Sequence, residues 1–173
     1  MEIQAFHSYH PEHRNLYKEI LMMTLSLRNT YPQYLHWFQS VFIKGLKNGE
    51  RSYLIARNTR QELIGCALLK HTSTEKKLCT LFVHPLFRRQ GIGKALMAET
   101  IKILGELPAI TVSKENLPQM RPLLTHFGFH LSTVKQNVYR PDSTEFYFND
   151  KAVDHLQTYL VQQKTQQQQA DLV

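Results

Sequence analysis

The densest group of residues able to do chemistry in this chain is a run of arginines, glycines and a lysine at positions 88–94. It follows the apolar stretch 81–83 and precedes apolar residues spaced three or four apart, which predict a helix. The first amides of a helix lack intrahelical partners, and Gly91 and Gly93 let a ligand approach the backbone closely. Because the helix dipole and the basic side chains both favour negative charge, the run predicts a cradle for a pyrophosphate.

The spacing of this run differs from that of the better-known phosphate-binding loops. Neither Gly-x4-Gly-Lys-Ser/Thr nor Gly-x-Gly-x-x-Gly is present. Arg88-x-x-Gly91-x-Gly93, placed after Leu81-x-Val83-x-Pro85, instead resembles the coenzyme A signature of the GNAT N-acetyltransferase superfamily. The resemblance implies that acetyl-CoA binds at a strand-to-helix junction. It assigns the following residues to the coenzyme: Leu81, Phe82, Val83, Arg88, Arg89, Gln90, Gly91, Ile92, Gly93, Lys94 and Asn116.

Hydrophobic periodicity and turn residues predict the elements that position this run. Strands are expected at 3–8, 52–56, 63–69, 78–83, 109–113, 130–139 and 144–149, and helices at about 11–27, 32–43, 92–104 and 118–127. Gly45 is expected to end the second helix, and the strands between 52 and 83 to form an antiparallel meander. This order resembles the GNAT fold, which implies an α/β domain. Its mixed, mostly antiparallel central sheet splays around acetyl-CoA and is flanked by helices.

The resemblance extends over most of the chain and sets the domain organisation. It gives one GNAT acyltransferase domain at 1–149, in which Phe127-Gly128-Phe129 resembles the Gly-Phe that closes the family's second coenzyme-binding helix. Residues 150–173 are expected to form a C-terminal helix and a Gln-rich tail. The tail has too few apolar groups to offset its ordering entropy, so we expect disorder beyond about Gln163.

The resemblance also implies a division of chemical roles. In the family, the strand before the cradle turns backbone groups towards the thioester, and an amide there stabilises the tetrahedral intermediate. This assigns the amide to Phe82 or Val83, with Phe82 as the catalytic candidate. Holding the amine and the thioester together would supply the larger part of the rate acceleration, because a deprotonated amine is already a good nucleophile.

Two side chains that are common in the family are absent here. The interior of the strand before the cradle carries no glutamate, which leaves Glu75 before it and His84 after it as candidate catalytic bases. His84 is also readily explained as a turn residue. Leu124 occupies the place of the tyrosine that protonates the leaving thiolate. A thiolate can leave without an acid, so this substitution does not exclude activity.

The acceptor pocket is expected near the N-terminal helices. Tyr31, Tyr34 and Trp37 lie in an aromatic-rich segment at the place where the family binds its acceptor. Helical spacing also allows some of these rings to belong to the core. No metal is expected, because the three histidines between 7 and 13 straddle a strand, a proline and a helix start.

Composition limits the remaining possibilities. The 173 residues, 42% hydrophobic and 20% charged, suit one globular domain. The net charge of +7 permits a nucleic-acid partner but is spread over many positions, so such a partner is not favoured. Lys70, Lys76 and Lys77 are expected at a solvated sheet edge. Without a basic leader or a long apolar run, we expect a cytoplasmic protein without a membrane partner, with Cys66 and Cys79 reduced.

The resemblance, together with these observations, implies an N-acetyltransferase that moves acetyl from acetyl-CoA to a primary amine by direct attack. The acceptor is expected to be a small molecule or a peptide amine, and homodimer formation stays open. One alternative is an enzyme of the same type acting on a macromolecule, such as aminoacyl-tRNA or a protein amine. The other is a weakly catalytic coenzyme-binding module, which the missing glutamate and tyrosine would allow.

Overall fold

The computed structural model describes residues 1–152. The strands are β1 Glu2–Phe6, β2 Arg51–Arg57, β3 Leu63–His71, β4 Lys76–Val83, β5 Ala109–Ser113, β6 Leu131–Gln136 and β7 Thr144–Phe148. The helices are α1 Arg14–Thr24, α2 Tyr34–His36, α3 Ile43–Lys47, α4 Ile92–Leu104 and α5 Leu117–Phe127. The expectations for the C-terminal helix and the Gln-rich tail lie outside the described residues, apart from 150–152.

The strands form one sheet in the order β1-β2-β3-β4-β5-β7-β6. Every neighbouring pair is antiparallel except β4 and β5, which are parallel. The expected mixed, mostly antiparallel sheet is therefore confirmed, and so is the meander of β2, β3 and β4.

Helices cover both faces of the sheet, because both faces carry apolar side chains. On one face α4 and α5 pack through residues such as Leu96, Met97 and Leu124 onto β2 to β5. On the other face the N-terminal helices pack through Ile20 and Phe42 onto β2, β3 and β4. Complete burial of side chains of this size stabilises the fold by about 1.5–3 kcal/mol each.

The second helical segment runs further than its sequence suggested. A π-helical turn, Trp37–Phe42, joins α2 to α3, and the segment continues past Gly45 to Lys47. Gly45 is needed inside the helix because the side chain of Arg51 packs over it. A Cβ at position 45 would lie 2.5 Å from Arg51 Cδ. The expectation that Gly45 ends the helix was wrong for this reason.

The sheet opens between β4 and β5. Only Lys77 with Ala109 and Leu78 with Ile110 are paired, after which the two strands diverge. The divergence begins beside Cys79, the extra residue of a β-bulge that faces Leu68 and Leu69 of β3. Because a bulge bends its strand and increases its twist, it turns the rest of β4 away from β5. The result is a wedge-shaped opening in the middle of the sheet.

Candidate functional site

A cleft of about 510 Å³ fills the opening between β4 and β5. One wall is β4 from Lys77 to Val83, and the other is β5 from Ile110 to Val112. The start of α5 lines one end through Asn116, whereas aromatic side chains line the other end. The cleft therefore has two ends. We call the end beside the glycine-rich run, where the sequence predicts the coenzyme, the coenzyme end, and the end beside the N-terminal helices, where the sequence predicts the acceptor, the acceptor end.

The glycine-rich run forms the expected cap of α4. Gly91 is the N-cap residue with φ +83°, a left-handed conformation that L side chains rarely adopt. Nothing lies within 4 Å of a Cβ built there, so the space in front of it is open. Buried Ile92 anchors the first turn, while Gly93 and Lys94 leave their amides without intrahelical acceptors. This end of α4 can hold an anion on backbone amides.

The register of β3 and β4 decides which backbone groups face the cleft. The His84 N–H donates to the Ile64 carbonyl at 2.9 Å, and these residues lie opposite each other in the ladder. Hydrogen-bonded positions alternate in an antiparallel pair, so Phe82 turns its backbone groups towards β3. Leu81 and Val83 turn theirs towards β5. This argues against Phe82 as the source of the catalytic amide and favours its two neighbours.

Arg88 arches across the coenzyme end of the cleft. Its Nε donates to the Val83 carbonyl at 3.2 Å, and Nη1 donates to Gln119 Oε1 of α5 at 3.5 Å. The guanidinium also lies 5.9 Å from the centre of the Phe82 ring. Arg88 thus joins the two sides of the opening and presents positive charge to any ligand that enters it.

The two candidate bases occupy different places. Glu75 lines the cleft at its acceptor end, where its Oε2 lies 2.5 Å from Lys70 Nζ. His84 instead accepts a hydrogen bond from the Leu86 N–H through Nδ1 at 3.4 Å, and so closes the turn after β4. Of these two residues, only Glu75 is positioned to meet an acceptor.

The three predicted acceptor residues all border the cleft, but in different ways. Tyr34 is 5% exposed and its hydroxyl donates to Thr24 Oγ1 at 2.9 Å, so it is mainly a core residue. Trp37 lies under the Arg51 guanidinium, 5.5 Å from the ring centre. Tyr31 meets Tyr139 edge to face at 5.2 Å. Burial raises the pKa of Tyr31 to about 12, so its hydroxyl stays protonated at neutral pH.

Three cations stand side by side at the acceptor end of the cleft. Arg51 of β2 lies opposite Lys70 of β3, and Lys70 lies opposite Lys77 of β4. All three line the cleft. We call Arg51, Lys70 and Lys77 the cation row. The expectation of a solvated edge was therefore wrong for Lys70 and Lys77, although Lys76 does point elsewhere, towards Glu106 and the Leu104 carbonyl.

A buried carboxyl group lies close to the acceptor end. Glu145 of β7 is fully buried opposite Ser113, and neither carboxyl oxygen has a hydrogen-bond partner among the described residues. Burial, helped by nearby Glu115, raises the pKa of Glu145 to about 7, while Arg140 opposes the rise. Arg140 itself pairs with Glu115. A carboxyl group of this kind can keep or release a proton within the physiological range.

Sequence reasoning missed Arg51 and Glu145. Arg51 and Glu145 carried no signal, since charged residues in strands are ordinarily exposed. The sequence did contain a signal for two members of the cation row, Lys70 and Lys77. The four residues between β3 and β4 form a short hairpin connection, and its register places Lys70 opposite Lys77.

The family comparison agrees with this geometry. Residues 48–131, which include the meander, the glycine-rich run and α4, match the family model of the acetyltransferase (GNAT) domain. This chain carries a GNAT acetyltransferase domain. A search of curated proteins finds no match to the sequence.

Solved structures share the GNAT fold at low sequence identity. A GNAT-family acetyltransferase from Desulfovibrio desulfuricans is 18% identical with a TM-score of 0.64, over 85% of this chain and 97% of that one. An aminoglycoside 6'-N-acetyltransferase in complex with coenzyme A is 17% identical with a TM-score of 0.61, covering 86% and 95%. A chain of the NatC complex, bound to Gag peptide and CoA, is 17% identical with a TM-score of 0.62, covering 86% and 97%.

The described residues contain neither a metal-binding cluster nor a helix able to span a membrane. Within residues 1–152, no three histidine, cysteine or carboxylate side chains come together in a way that could hold a metal ion. None of the helices in the same range has the length and apolar composition needed to cross a bilayer. Cys66 and Cys79 are both free thiols.

Proposed function

We propose that this GNAT domain transfers acetyl from acetyl-CoA to a primary amine by direct attack. The observation that carries the proposal is the opening of the sheet between β4 and β5, with the α4 cradle at one end and an aromatic, charged pocket at the other. A two-ended cleft suits a reaction between two substrates. Coenzyme A in the aminoglycoside acetyltransferase and in the NatC complex supports the choice of donor.

In this proposal the cradle binds the coenzyme pyrophosphate. The amides of Ile92, Gly93 and Lys94 donate to its oxygens, and the guanidinium of Arg88 adds charge. The remainder of the coenzyme lies along the open edge of β4. The N–H of Leu81 or Val83 donates to the thioester oxygen, where negative charge develops during attack, and such a donor contributes about 3–4 kcal/mol.

The reaction then needs little covalent help from the protein. The amine nitrogen attacks the thioester carbon, the new C–N bond forms, and the carbon–sulfur bond breaks to release the thiolate. The ammonium proton must first leave, and we propose Glu75 as its acceptor, directly or through water. The thiolate takes up the proton that the attacking nitrogen loses once the C–N bond has formed. Tyr31 and Tyr139 line the cleft, and burial raises the pKa of both, so their hydroxyls stay protonated and can donate a hydrogen bond to the departing sulfur.

A screen of primary amines with acetyl-CoA, read by release of free thiol, tests the proposal. We expect amine-dependent thiol release and a new acetylamide detected by mass spectrometry. Tight binding of acetyl-CoA without turnover of any amine would instead identify a coenzyme-binding module. Acetylation confined to protein or aminoacyl-tRNA amines would favour the macromolecular alternative.

A pair of glycine variants tests the cradle. Gly91→Val and Gly49→Val place the same β-branched residue at φ +83° and +73°, with open space around both sites. The two variants should lose similar stability from backbone strain. Only Gly91→Val should weaken acetyl-CoA binding, by at least tenfold in calorimetry, because Gly91 is the N-cap of α4 whereas Gly49 lies in the turn between α3 and β2. Equal affinities in the two folded variants would refute the cradle.

A further inference from the structure

The cation row carries an unbalanced charge. Like charges directly opposite on neighbouring strands destabilise a sheet. Lys70 is neutralised by Glu75 at 2.5 Å, but among the described residues no carboxylate forms an ion pair with Arg51 or Lys77. Two of the three cations therefore face the cleft without an acidic partner.

Arg51 is the most constrained member of the row. It is only 8% exposed, and the hydrogen bond of its guanidinium within the described chain goes to a thiol, Cys79 Sγ, at 3.4 Å. A thiol is a weak acceptor, so most of the hydrogen-bonding capacity of this buried cation is unused. The Trp37 ring holds the guanidinium from one side, and Gly45 provides the space its stem needs. The chain thus keeps a largely desolvated cation fixed at the wall of the cleft.

We propose that the cation row binds an anionic group of the acceptor, so that the substrate is a primary amine that also carries a carboxylate or phosphate. A planar guanidinium with free donors binds either oxyanion through paired hydrogen bonds. An anion placed there would also relieve the repulsion within the row. This inference rests on the proposed function, whose acceptor region it occupies.

The position of Arg51 also limits the length of the acceptor. Its guanidinium contacts Cys79, which precedes Leu81 by two residues on β4. Two residues of strand span about 7 Å, so amine and anion should be separated by a chain of several bonds. An α-amino acid attacked at its α-amine is too short for this spacing. The same charge distribution disfavours polycations such as aminoglycosides, because the row would repel them.

The test compares four acceptors that each contain a chain of six carbon atoms. They are 6-aminohexanoate, 6-aminohexyl phosphate, the neutral 6-aminohexanamide and the dication 1,6-diaminohexane. We expect kcat/KM for at least one anionic acceptor to exceed that of the amide by tenfold or more, with the diamine lowest. The carboxylate and phosphate arms show which oxyanion is preferred. Glycine and 4-aminobutyrate, added as shorter acceptors, should be used less well than 6-aminohexanoate.

Variants show whether the row causes the preference. Arg51→Met should reduce the anion-to-amide ratio at least tenfold and leave acetyl-CoA affinity within twofold, whereas Arg60→Met, at an exposed turn, should change neither. A purely structural role for Arg51 would lower turnover of all four acceptors equally. If Arg51→Met does not fold, Arg51→Lys and Lys77→Met should each reduce the same ratio.

The outcomes separate this inference from the proposed function. Amine acetylation that is equal for anionic and neutral acceptors, or an anion preference that survives loss of both Arg51 and Lys77, would overturn the inference and leave the acetyltransferase intact. Acetyl-CoA binding without turnover of any amine in the wider screen would refute the proposed function, and the inference would fail with it.

Discussion

Glu145 should make the stability of the protein depend on pH in an unusual direction. Its pKa is raised from 4.5 to about 7 in the folded chain, because the carboxyl group is fully buried. Below pH 4.5 both folded and unfolded chains hold the proton. Between pH 4.5 and 7 the folded chain keeps a proton that the unfolded chain releases, so stability falls as pH rises. Above pH 7 the loss is complete.

The magnitude follows from the same two pKa values. Each unit of pKa difference is worth about 1.4 kcal/mol, which gives up to about 3 kcal/mol between pH 4.5 and pH 8. Glu145→Gln is an uncharged near-isostere that mimics the protonated carboxyl group and removes this dependence. Several charged groups face or neighbour Glu145, and all are retained in the variant: Glu115, Arg140 and, across the ladder, Lys135. Their effects therefore largely cancel in the comparison.

Urea unfolding of both proteins at pH 5 and pH 8 measures the effect. The stability of Glu145→Gln minus that of the wild type should increase by up to about 3 kcal/mol from pH 5 to pH 8, a Tm difference of roughly 6–12 °C. Glu50→Gln, at an exposed position, is the control and should show no such trend. If the stability of Glu145→Gln minus that of the wild type changes by less than about 0.5 kcal/mol between pH 5 and pH 8, the carboxyl group titrates as it would in water.

Three further predictions concern the cleft. Glu75→Gln should reduce kcat/KM at pH 7 by about tenfold or more, and the activity of the variant should recover as the pH approaches the pKa of the acceptor amine, because a base is then no longer needed. A ratio of variant to wild-type kcat/KM that stays constant between pH 6 and pH 10 would exclude Glu75 as the proton acceptor. Tyr31→Ala should raise KM for the acceptor and leave acetyl-CoA affinity within twofold, whereas equal loss of both would make Tyr31 a structural residue. Tyr34→Phe removes the hydrogen bond to Thr24 and should cost about 1 kcal/mol of stability in chemical unfolding, without changing the acceptor KM; a changed KM would place its hydroxyl in contact with the acceptor.

The features that could be predicted from the sequence are those encoded locally. The cradle was readable because Gly91 and Gly93 stand between an apolar strand and an amphipathic helix. The strand at Ala109–Ser113 was bounded correctly because three consecutive β-branched residues, 110–112, favour a strand there. In each case neighbouring residues along the chain determine the structure, so no tertiary contact is needed to infer it.

The features that escaped prediction depend on contacts between distant segments. Gly45 lies inside a helix because the side chain of Arg51, six residues later, occupies the space that a side chain at position 45 would fill. The orientation of the Phe82 amide depends on the register with β3, not on its own neighbours. Glu145 follows Thr144 at the polar start of β7, and its burial depends on the neighbouring strands β5 and β6 and on the segment that carries Tyr31. Burial of a charged residue is the least local property of a fold, which is why the acceptor end was harder to read than the cradle.

The narrow join between β4 and β5 has a consequence for cooperativity. The sheet has four strands on one side of the opening and three on the other, and only two residue pairs connect them directly. In the free protein the side holding β5, β6 and β7 should exchange its amide hydrogens faster than β2 and β3. A ligand that forms hydrogen bonds to both β4 and β5 would replace the absent hydrogen bonds between these strands and couple the two sides of the sheet. Binding of acetyl-CoA should therefore slow hydrogen exchange at amides on strands that it does not contact. The donor would then be a structural component of its own enzyme, and the fully cooperative fold would exist only while it is bound.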